Sequence, residues 1–296
     1  MTQPTVCAIL LTADRPEMAR RAAESFRSQT YPAKRLLVYD TGAEDVEMDW
    51  LGDEDDSRHL EIEVLEAAGI DHHGTRKTIG YLRNRANAAA AERDADILIH
   101  FDDDDWSHPN RIADQVALLQ SSGADCVGFR EMLFWREDSS AECICPDEPC
   151  PHNTPGEAWL YTNPDPRYAL GTSLCYWRKT WERKPFEALP TSAPGSASED
   201  ARFITGLNCV GISGTAARIE DASNLPAGEE CAQPRMVARI HAGNTSQAYD
   251  PRNMERSNRV KGGTWRRVPE WDWYCGWVMR GISPLQRWRD MGFGNH

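Results

Sequence analysis

The sequence has no long apolar run. Nowhere do apolar residues continue for the roughly 20 positions that a transmembrane helix requires, so we predict no membrane span. The first residues, Met-Thr-Gln-Pro-Thr, lack the basic segment that opens a secretory signal peptide. Basic residues are fewer than acidic ones, 33 against 46, which gives a net charge of -13. This charge argues against a generic nucleic-acid-binding protein. These absences predict a cytoplasmic protein.

The number of cysteines is odd, so they cannot all pair in disulfides within the chain. The chain has nine, and several lie within apolar runs, which fits free thiols in a reducing compartment better than a disulfide framework. One group differs, because Cys143, Cys145, Cys150 and His152 lie together in a polar, proline-rich insertion over 136–168. Structural zinc takes four such ligands in a tetrahedron. These residues therefore predict either a structural Zn²⁺ site or a loop with free thiols.

Charge is unevenly distributed along the chain. Residues 251–296 hold nine Lys or Arg against four Asp or Glu, a local charge of +5, so the rest carries -18. The same segment holds five of the eleven tryptophans. Two interpretations stay open for this basic, aromatic segment. Its tryptophans pack onto the body of the protein, or they contact an anionic acceptor, a single-stranded nucleic acid or a membrane surface.

Short apolar runs alternate with amphipathic segments, which predicts an α/β fold with a largely parallel sheet. The predicted strands are Val6–Leu11, Arg35–Tyr39, Leu60–Leu65, a strand from Ile97, one within 123–134, and Val237–His241. The predicted helices are Glu17–Ser28, Thr78–Arg93, Pro109–Leu119, Lys179–Phe186 and Ala201–Leu207.

The stretch from Ile97 to Trp106 reads I-L-I-H-F-D-D-D-D-W. Its apolar half predicts a buried strand, and four aspartates follow at the carboxyl end, where open α/β sheets bind ligands. Adjacent carboxylates repel one another unless a cation neutralises them, and a cluster of hard oxygen ligands suits Mg²⁺ or Mn²⁺. The stretch therefore predicts a divalent-metal site, with a solvated acidic turn as the alternative.

Seven segments resemble, in the right order, motifs of the family 2 glycosyltransferases of GT-A fold. They are Leu11–Arg15, Ser25–Pro32 (SFRSQTYP), Val38–Gly42 (VYDTG), Arg83–Asn84, Asp102–Asp104, Glu199–Asp200 and His241–Ser246 (HAGNTS). The resemblance implies a GT-A domain over 1–250, with a nucleotide-binding part at 1–135 and an acceptor-side part at 136–250, followed by the C-terminal segment 251–296. The sequence departs from the family at Ala13 and Asp14 and at Thr41.

The resemblance also implies an activity, the inverting transfer of a sugar from a nucleotide-sugar donor, most simply a UDP-sugar, to an acceptor hydroxyl. Asp200 would be the general base, with Glu199 beside it at the start of a helix. The implied metal ligands are Asp102, Asp104 and His241. The implied donor-binding residues are Thr12, Asp14, Arg15, Asp40, Arg83, Asn84, Asp102 and Asp103.

Two other functions fit part of the pattern. A nucleotidyltransferase would also need a nucleotide and Mg²⁺, but it would more often have a glycine-rich basic loop after the first strand, where this chain reads L-T-A-D-R-P. A catalytically silent binding module would not need the acidic pair Glu199 and Asp200. The acceptor stays open among a glycan, a lipid-linked sugar and a nucleic-acid base.

Overall fold

A computed structural model describes residues 3–42, 62–67, 69–70, 77–137, 156–188, 199–215, 234–241 and 262–281. The strands are β1 Val6–Thr12, β2 Lys34–Asp40, β3 Ile62–Glu66, β4 Ile97–His100, β5 Trp106–Ser107, β6 Cys126–Glu137, β7 Gly156–Thr162, β8 Cys175–Trp177, β9 Cys209–Ser213, β10 Met236–Ile240 and β11 Thr264–Arg267. The helices are α1 Pro16–Arg27, α2 Ile79–Ala91, α3 Arg111–Ser122, α4 Arg178–Arg183, α5 Glu199–Ile204 and α6 Asp272–Met279. Gly171–Ser173 and Pro269–Trp271 form 3₁₀ turns.

The chain forms two compact units. The first unit comprises residues 1–129 and 166–212, and the second comprises 130–165 and 213–296. The strand β6 begins in the first unit and ends in the second. This division does not test the predicted domain parts 1–135, 136–250 and 251–296, which stay predictions.

The first unit is built on a mixed sheet in the order β3-β2-β1-β4-β8-β6. The strand β1 pairs in parallel with β2 and β4, and β2 pairs in parallel with β3. β8 is antiparallel to both β4 and β6. Residues Val6–Leu10 and Ile97–His100 are buried throughout, because parallel strands are covered by helices on both faces. Four parallel strands, β3, β2, β1 and β4, therefore end at one edge, where ligands bind in such sheets.

Helices cover both faces of this sheet. On one face, α1 places Ala19, Ala22 and Phe26 at helical spacing against the sheet. On the other face, α2 contributes Leu82 and Ala86, which belong to a second core cluster. Thr78 caps the start of helix α2, because its hydroxyl accepts a hydrogen bond from Tyr81 N at 3.3 Å. The position of α2 matters for function because it carries Arg83 beneath the edge of the sheet.

The second unit is a smaller sheet in the order β10-β6-β7-β11. β10 is parallel to β6, and β7 is antiparallel to both β6 and β11. Trp265 of β11 is buried, with its ring centroid 4.8 Å from that of Phe134 and 5.1 Å from that of Tyr161. Trp277 in α6 is buried as well. In the described part of the C-terminal segment, these two tryptophans pack within the unit.

The structure confirms the predicted α/β class and every predicted strand and helix to within a few residues. The structure also has elements that the sequence did not predict. They are β7, which lies within the insertion over 136–168, and β5, β8, β9, β11 and α6. Helix α5 begins at Glu199, so the acidic pair lies in its first turn. Cys7, Cys126, Cys175, Cys209 and Cys275 are free and buried, as expected. None of the helices within the described ranges is long and apolar enough to span a bilayer.

Candidate active site

Four acidic or basic side chains predicted from separate motifs meet at the edge of the first unit. Arg83 of α2 is almost fully buried, with a side-chain exposure of 6%. Its Nη1 lies 3.6 Å from Asp102 Oδ1, and its Nε lies 3.6 Å from Asp200 Oδ1 and 3.9 Å from Glu199 Oε1. The guanidinium therefore lies among three carboxylates contributed by two segments that are almost 100 positions apart in sequence.

The charge of Arg83 is maintained by these neighbours. Burial alone would lower the pKa of Arg83, but the charges of Asp200, Asp102 and Glu199 outweigh burial and raise it. Within the described ranges, neither Nε nor Nη1 has a hydrogen-bond partner. The three distances are too long for hydrogen bonds, so the interaction is an electrostatic one between buried groups.

Asp103 faces the turn that follows β1. It is buried, its Oδ2 accepts a hydrogen bond from Thr12 Oγ1 at 2.8 Å, and the same oxygen lies 3.0 Å from Arg15 Nε. Burial and the charge of Asp104 raise the pKa of Asp103 to about 7. These contacts hold the β1 turn against the aspartates, and the predicted contacts of Asp103, Thr12 and Arg15 with the donor stay predictions.

Asp102 and Asp104 are the more open members of the aspartate run, with side-chain exposures of 27% and 13%. Asp104 Oδ2 lies 3.9 Å from Arg15 Nη1. Across the part of the chain that the structure describes, no three His, Cys, Asp or Glu side chains approach closely enough to hold a metal ion by themselves. Two carboxylates in an acidic cluster nevertheless suit Mg²⁺ or Mn²⁺, because such ions are often bound by one or two carboxylates together with substrate phosphates.

The turns after β1 and β2 pack against each other beside this cluster. Thr41 N donates to Thr12 O at 2.9 Å, and Asp40 Oδ1 accepts from Gly42 N at 2.9 Å. A Cβ at Gly42 would lie 2.7 Å from Asp14 Oδ1, so only glycine fits there. Asp14 itself has a φ of 54°, a left-handed conformation that aspartate tolerates better than most residues. The predicted nucleobase contacts of Asp40 and Asp14 stay predictions at this pair of turns.

Asn84 has a structural role in the described protein. Its Nδ2 donates to Phe186 O at 2.8 Å, while its Oδ1 accepts from Trp181 Nε1 at 2.9 Å and from Phe186 N at 3.0 Å. These bonds attach α2 to the segment that follows α4. The predicted contact of Asn84 with the donor stays a prediction.

Sequence reasoning missed a polar network beneath Asp200. His100 at the end of β4 is fully buried, with its Nδ1 2.6 Å from Gly171 O and its Nε2 3.2 Å from Tyr176 Oη. Burial, together with the charges of Arg83 and Arg111, lowers the pKa of His100 well below its ordinary value. A polar residue closing an apolar strand was visible in the sequence. Its partners were not, because they lie more than 70 positions away.

The structure tests neither the predicted metal ligand His241 nor the predicted zinc site. His241 follows β10 in the second unit and is half-buried, and its role as a metal ligand stays a prediction. The predicted zinc ligands Cys143, Cys145, Cys150 and His152 lie outside the described residues.

The first unit has parallel strands that end at an aspartate cluster and helices on both faces, as expected for the GT-A fold. Two solved structures share this fold. The chain matches a chain of S. aureus TarS, residues 1–349, in complex with UDP-GlcNAc, with a TM-score of 0.51 and 15% identity. That match covers 85% of this chain, which spans 64% of the TarS chain.

A second solved structure has the same fold. The mannosyltransferase PcManGT from Pyrobaculum calidifontis, in complex with GDP-Man and Mn²⁺, matches with a TM-score of 0.50 and 12% identity. The match covers 100% of this chain and 77% of that one. No model of a protein family matches the chain, and no curated protein matches it.

Proposed function

We propose that the protein is a metal-dependent, inverting family 2 glycosyltransferase that moves a sugar from a nucleotide-sugar donor to an acceptor hydroxyl. The observation that supports this most strongly is the position of Arg83 among Asp102, Glu199 and Asp200. It brings the aspartate run within reach of the acidic pair. A transferase needs its donor-side carboxylates and its base next to one reacting carbon, and the closeness of these groups supports that assignment.

Asp200 is the general base in this proposal. The acceptor hydroxyl attacks the anomeric carbon of the donor sugar while the bond from that carbon to the phosphate oxygen breaks. The nucleoside diphosphate leaves with the bonding electrons, and Asp200 takes the proton of the hydroxyl. Attack on the face opposite the leaving group inverts the anomeric configuration, as in inverting glycoside hydrolysis.

Asp102 and Asp104 are the residues that would hold a divalent cation together with the donor phosphates. Their carboxylates belong to an acidic cluster whose mutual repulsion helps to raise the pKa of Asp103 to about 7, in addition to burial. When bound, Mn²⁺ or Mg²⁺ supplies positive charge that stabilises the departing diphosphate.

The donor side of the site is the pair of turns after β1 and β2, which carries Thr12, Asp14, Arg15 and Asp40. The nucleotide sugars bound in the two solved structures, UDP-GlcNAc and GDP-Man, support a nucleotide-sugar donor here. The acceptor belongs to one of the classes left open by the sequence, a glycan, a lipid-linked sugar or a nucleic-acid base.

A binding and hydrolysis experiment tests the proposal. Thermal unfolding is measured with UDP-GlcNAc, UDP-glucose or GDP-mannose, with and without MnCl₂, and the release of UDP or GDP is followed. We expect one donor to raise the midpoint only with Mn²⁺ and to be hydrolysed slowly. Asp104→Ala should abolish both effects.

Two results would contradict the proposal. Pyrophosphate release from UTP and a sugar 1-phosphate, without any donor hydrolysis, would identify a nucleotidyltransferase. Donor binding with no release of UDP or GDP from any donor would identify a silent binding module.

A further inference from the structure

The 3₁₀ turn Gly171–Ser173 lies directly against Asp200. A Cβ at Gly171 would meet Asp200 Oδ2 at 2.0 Å, Cγ at 2.4 Å and Cβ at 2.8 Å. Gly171 does not have a positive φ, so the requirement for glycine comes from space and not from backbone conformation. The carboxyl of Asp200 therefore rests on the backbone of the turn through Oδ2, while its Oδ1 lies 3.6 Å from Arg83 Nε.

The turn Gly171–Ser173 is itself held by hydrogen bonds to the end of β4. Gly171 O is hydrogen-bonded to His100 Nδ1, and the buried Arg111 donates through Nη2 to both His100 O and Thr172 O, at 2.7 and 3.2 Å. Thr172 Oγ1 also donates to Asp105 Oδ2. A shift of β4 or of its last side chain would consequently move the surface on which Asp200 rests.

The direction of each hydrogen bond in this network follows from chemistry. A carbonyl oxygen only accepts, so His100 must carry its proton on Nδ1 to bond Gly171. A neutral imidazole then has an acceptor at Nε2, to which Tyr176 Oη donates. Tyr176 Oη in turn accepts from Asn87 Nδ2 at 2.9 Å. Tyr176 and Asn87 thus select the ring tautomer that bonds the turn, which is an assignment from the network.

We propose that His100 is a positioning residue for Asp200, acting through Gly171, with Tyr176 selecting its tautomer. This inference rests on the proposed function, because it assigns Asp200 as the base. The inference extends the proposed function, because it names the residues that position the carboxyl of Asp200. The geometry predicts that disturbing the network lowers turnover while leaving donor affinity unchanged.

The first test removes one hydroxyl. Tyr176→Phe leaves Nε2 without its donor, so Gly171 O alone favours the proton on Nδ1 and the other tautomer of His100 becomes more populated. We expect kcat for UDP release from UDP-GlcNAc, or GDP release from GDP-mannose, to fall about tenfold with KM for the donor within about twofold. The matched control is Tyr31→Phe, which deletes a buried hydroxyl bonded to Pro4 O at 2.7 Å away from the site. Equal kcat in the two variants would overturn the proposal.

The second test asks whether the bond to Gly171 is what matters. The amide nitrogen of asparagine can take the place of Nδ1, whereas leucine fills the volume without a donor. We expect His100→Asn to retain at least ten times the kcat of His100→Leu, in keeping with the cost of a lost positioning contact. The proposal fails if both variants retain the same kcat.

The third test needs no activity. Gly171→Ala should lower the urea midpoint in the wild-type background, but much less in an Asp200→Ala background, where the two nearest atoms are gone. If Gly171→Ala alone is insoluble, a soluble double variant supports the contact, whereas an insoluble double variant contradicts it. Equal losses in both backgrounds contradict it too. This cycle is independent of turnover, so it tests the contact between Gly171 and Asp200 separately from the proposed function, which an inactive wild-type protein would overturn.

Discussion

At the scale of single residues, the balance of charge at the site depends on Arg83. Replacing it with methionine leaves Asp102, Glu199 and Asp200 facing one another without a cation. Removal of one member of a buried ionic cluster typically costs about 3–5 kcal/mol, so Arg83→Met should lower the free energy of unfolding by that order. Urea unfolding at neutral pH measures the loss.

The same helix offers a control for this prediction. Arg85 is exposed on α2, and Arg85→Met should change the free energy of unfolding by no more than about 0.5 kcal/mol. Similar losses in the two variants would show that Arg83 does not stabilise the three carboxylates.

Asp200 gives a prediction about catalysis at the same scale. Asparagine has the shape of aspartate, so Asp200→Asn should fit against Gly171 and keep the protein folded. It cannot take a proton, however, and transfer should fall by about 10²–10⁴ while the Mn²⁺-dependent thermal shift with the donor persists. Initial rates measure the loss. A variant that turns over near the wild-type rate would move the role of base to Glu199.

At the scale of elements, Glu131 joins three segments of the second unit. Its carboxylate accepts from Thr162 Oγ1 in β7 at 3.1 Å, and from Ser213 Oγ and Thr215 Oγ1, each at 2.6 Å. Burial alone would raise the pKa of Glu131, but these hydroxyl bonds outweigh burial and lower it. The carboxylate form thus holds β6 to β7 and to the end of β9.

This contact predicts a pH dependence of stability. The folded pKa of Glu131 is depressed, so its contribution is fully present above the unfolded value of about 4.3 and is lost as the pH falls through the folded value. Glu131→Gln should therefore be less stable than wild type at pH 7, with the gap closing toward pH 3. Urea midpoints across this range test it, with Glu92→Gln, an exposed site on the first unit, as the control. A gap that stays constant with pH would contradict the assignment.

At the scale of the whole molecule, the parts that the sequence predicted are those encoded locally. The buried strand Ile97–His100 and the aspartates after it are adjacent in the chain, so hydrophobic pattern and charge were enough. Gly171 could not be predicted, because its requirement for glycine is set by Asp200, and no local pattern encodes that contact. The role of Asp103 was hidden for a similar reason. Four adjacent aspartates look alike in sequence, and only the fold turns one of them onto Thr12 and Arg15.

The local sequence pattern of the C-terminal segment 251–296 does not distinguish between its two possible roles. The structure of this segment gives a prediction for the whole chain. A mixture of tryptophan and arginine fits packing as well as acceptor binding. The described part places Trp265 in the second unit, where β11 pairs along β7. Removing residues 251–296 takes away β11, one of the two strands that pair with β7, and exposes the rings of Phe134 and Tyr161. An unpaired apolar edge of this kind promotes aggregation, and the loss of five net positive charges does not prevent it.

We therefore expect the truncated protein to aggregate, as size-exclusion chromatography would show. A pair of variants in the full chain separates packing from charge. Trp265→Ala should cost about 3–5 kcal/mol, because the ring is buried. Arg266→Ala should cost no more than about 0.5 kcal/mol, because the Arg266 side chain, next to Trp265 on the same strand, is 64% exposed. A truncated protein that stays monomeric and hydrolyses donor, yet no longer transfers sugar, would instead assign the segment to acceptor binding.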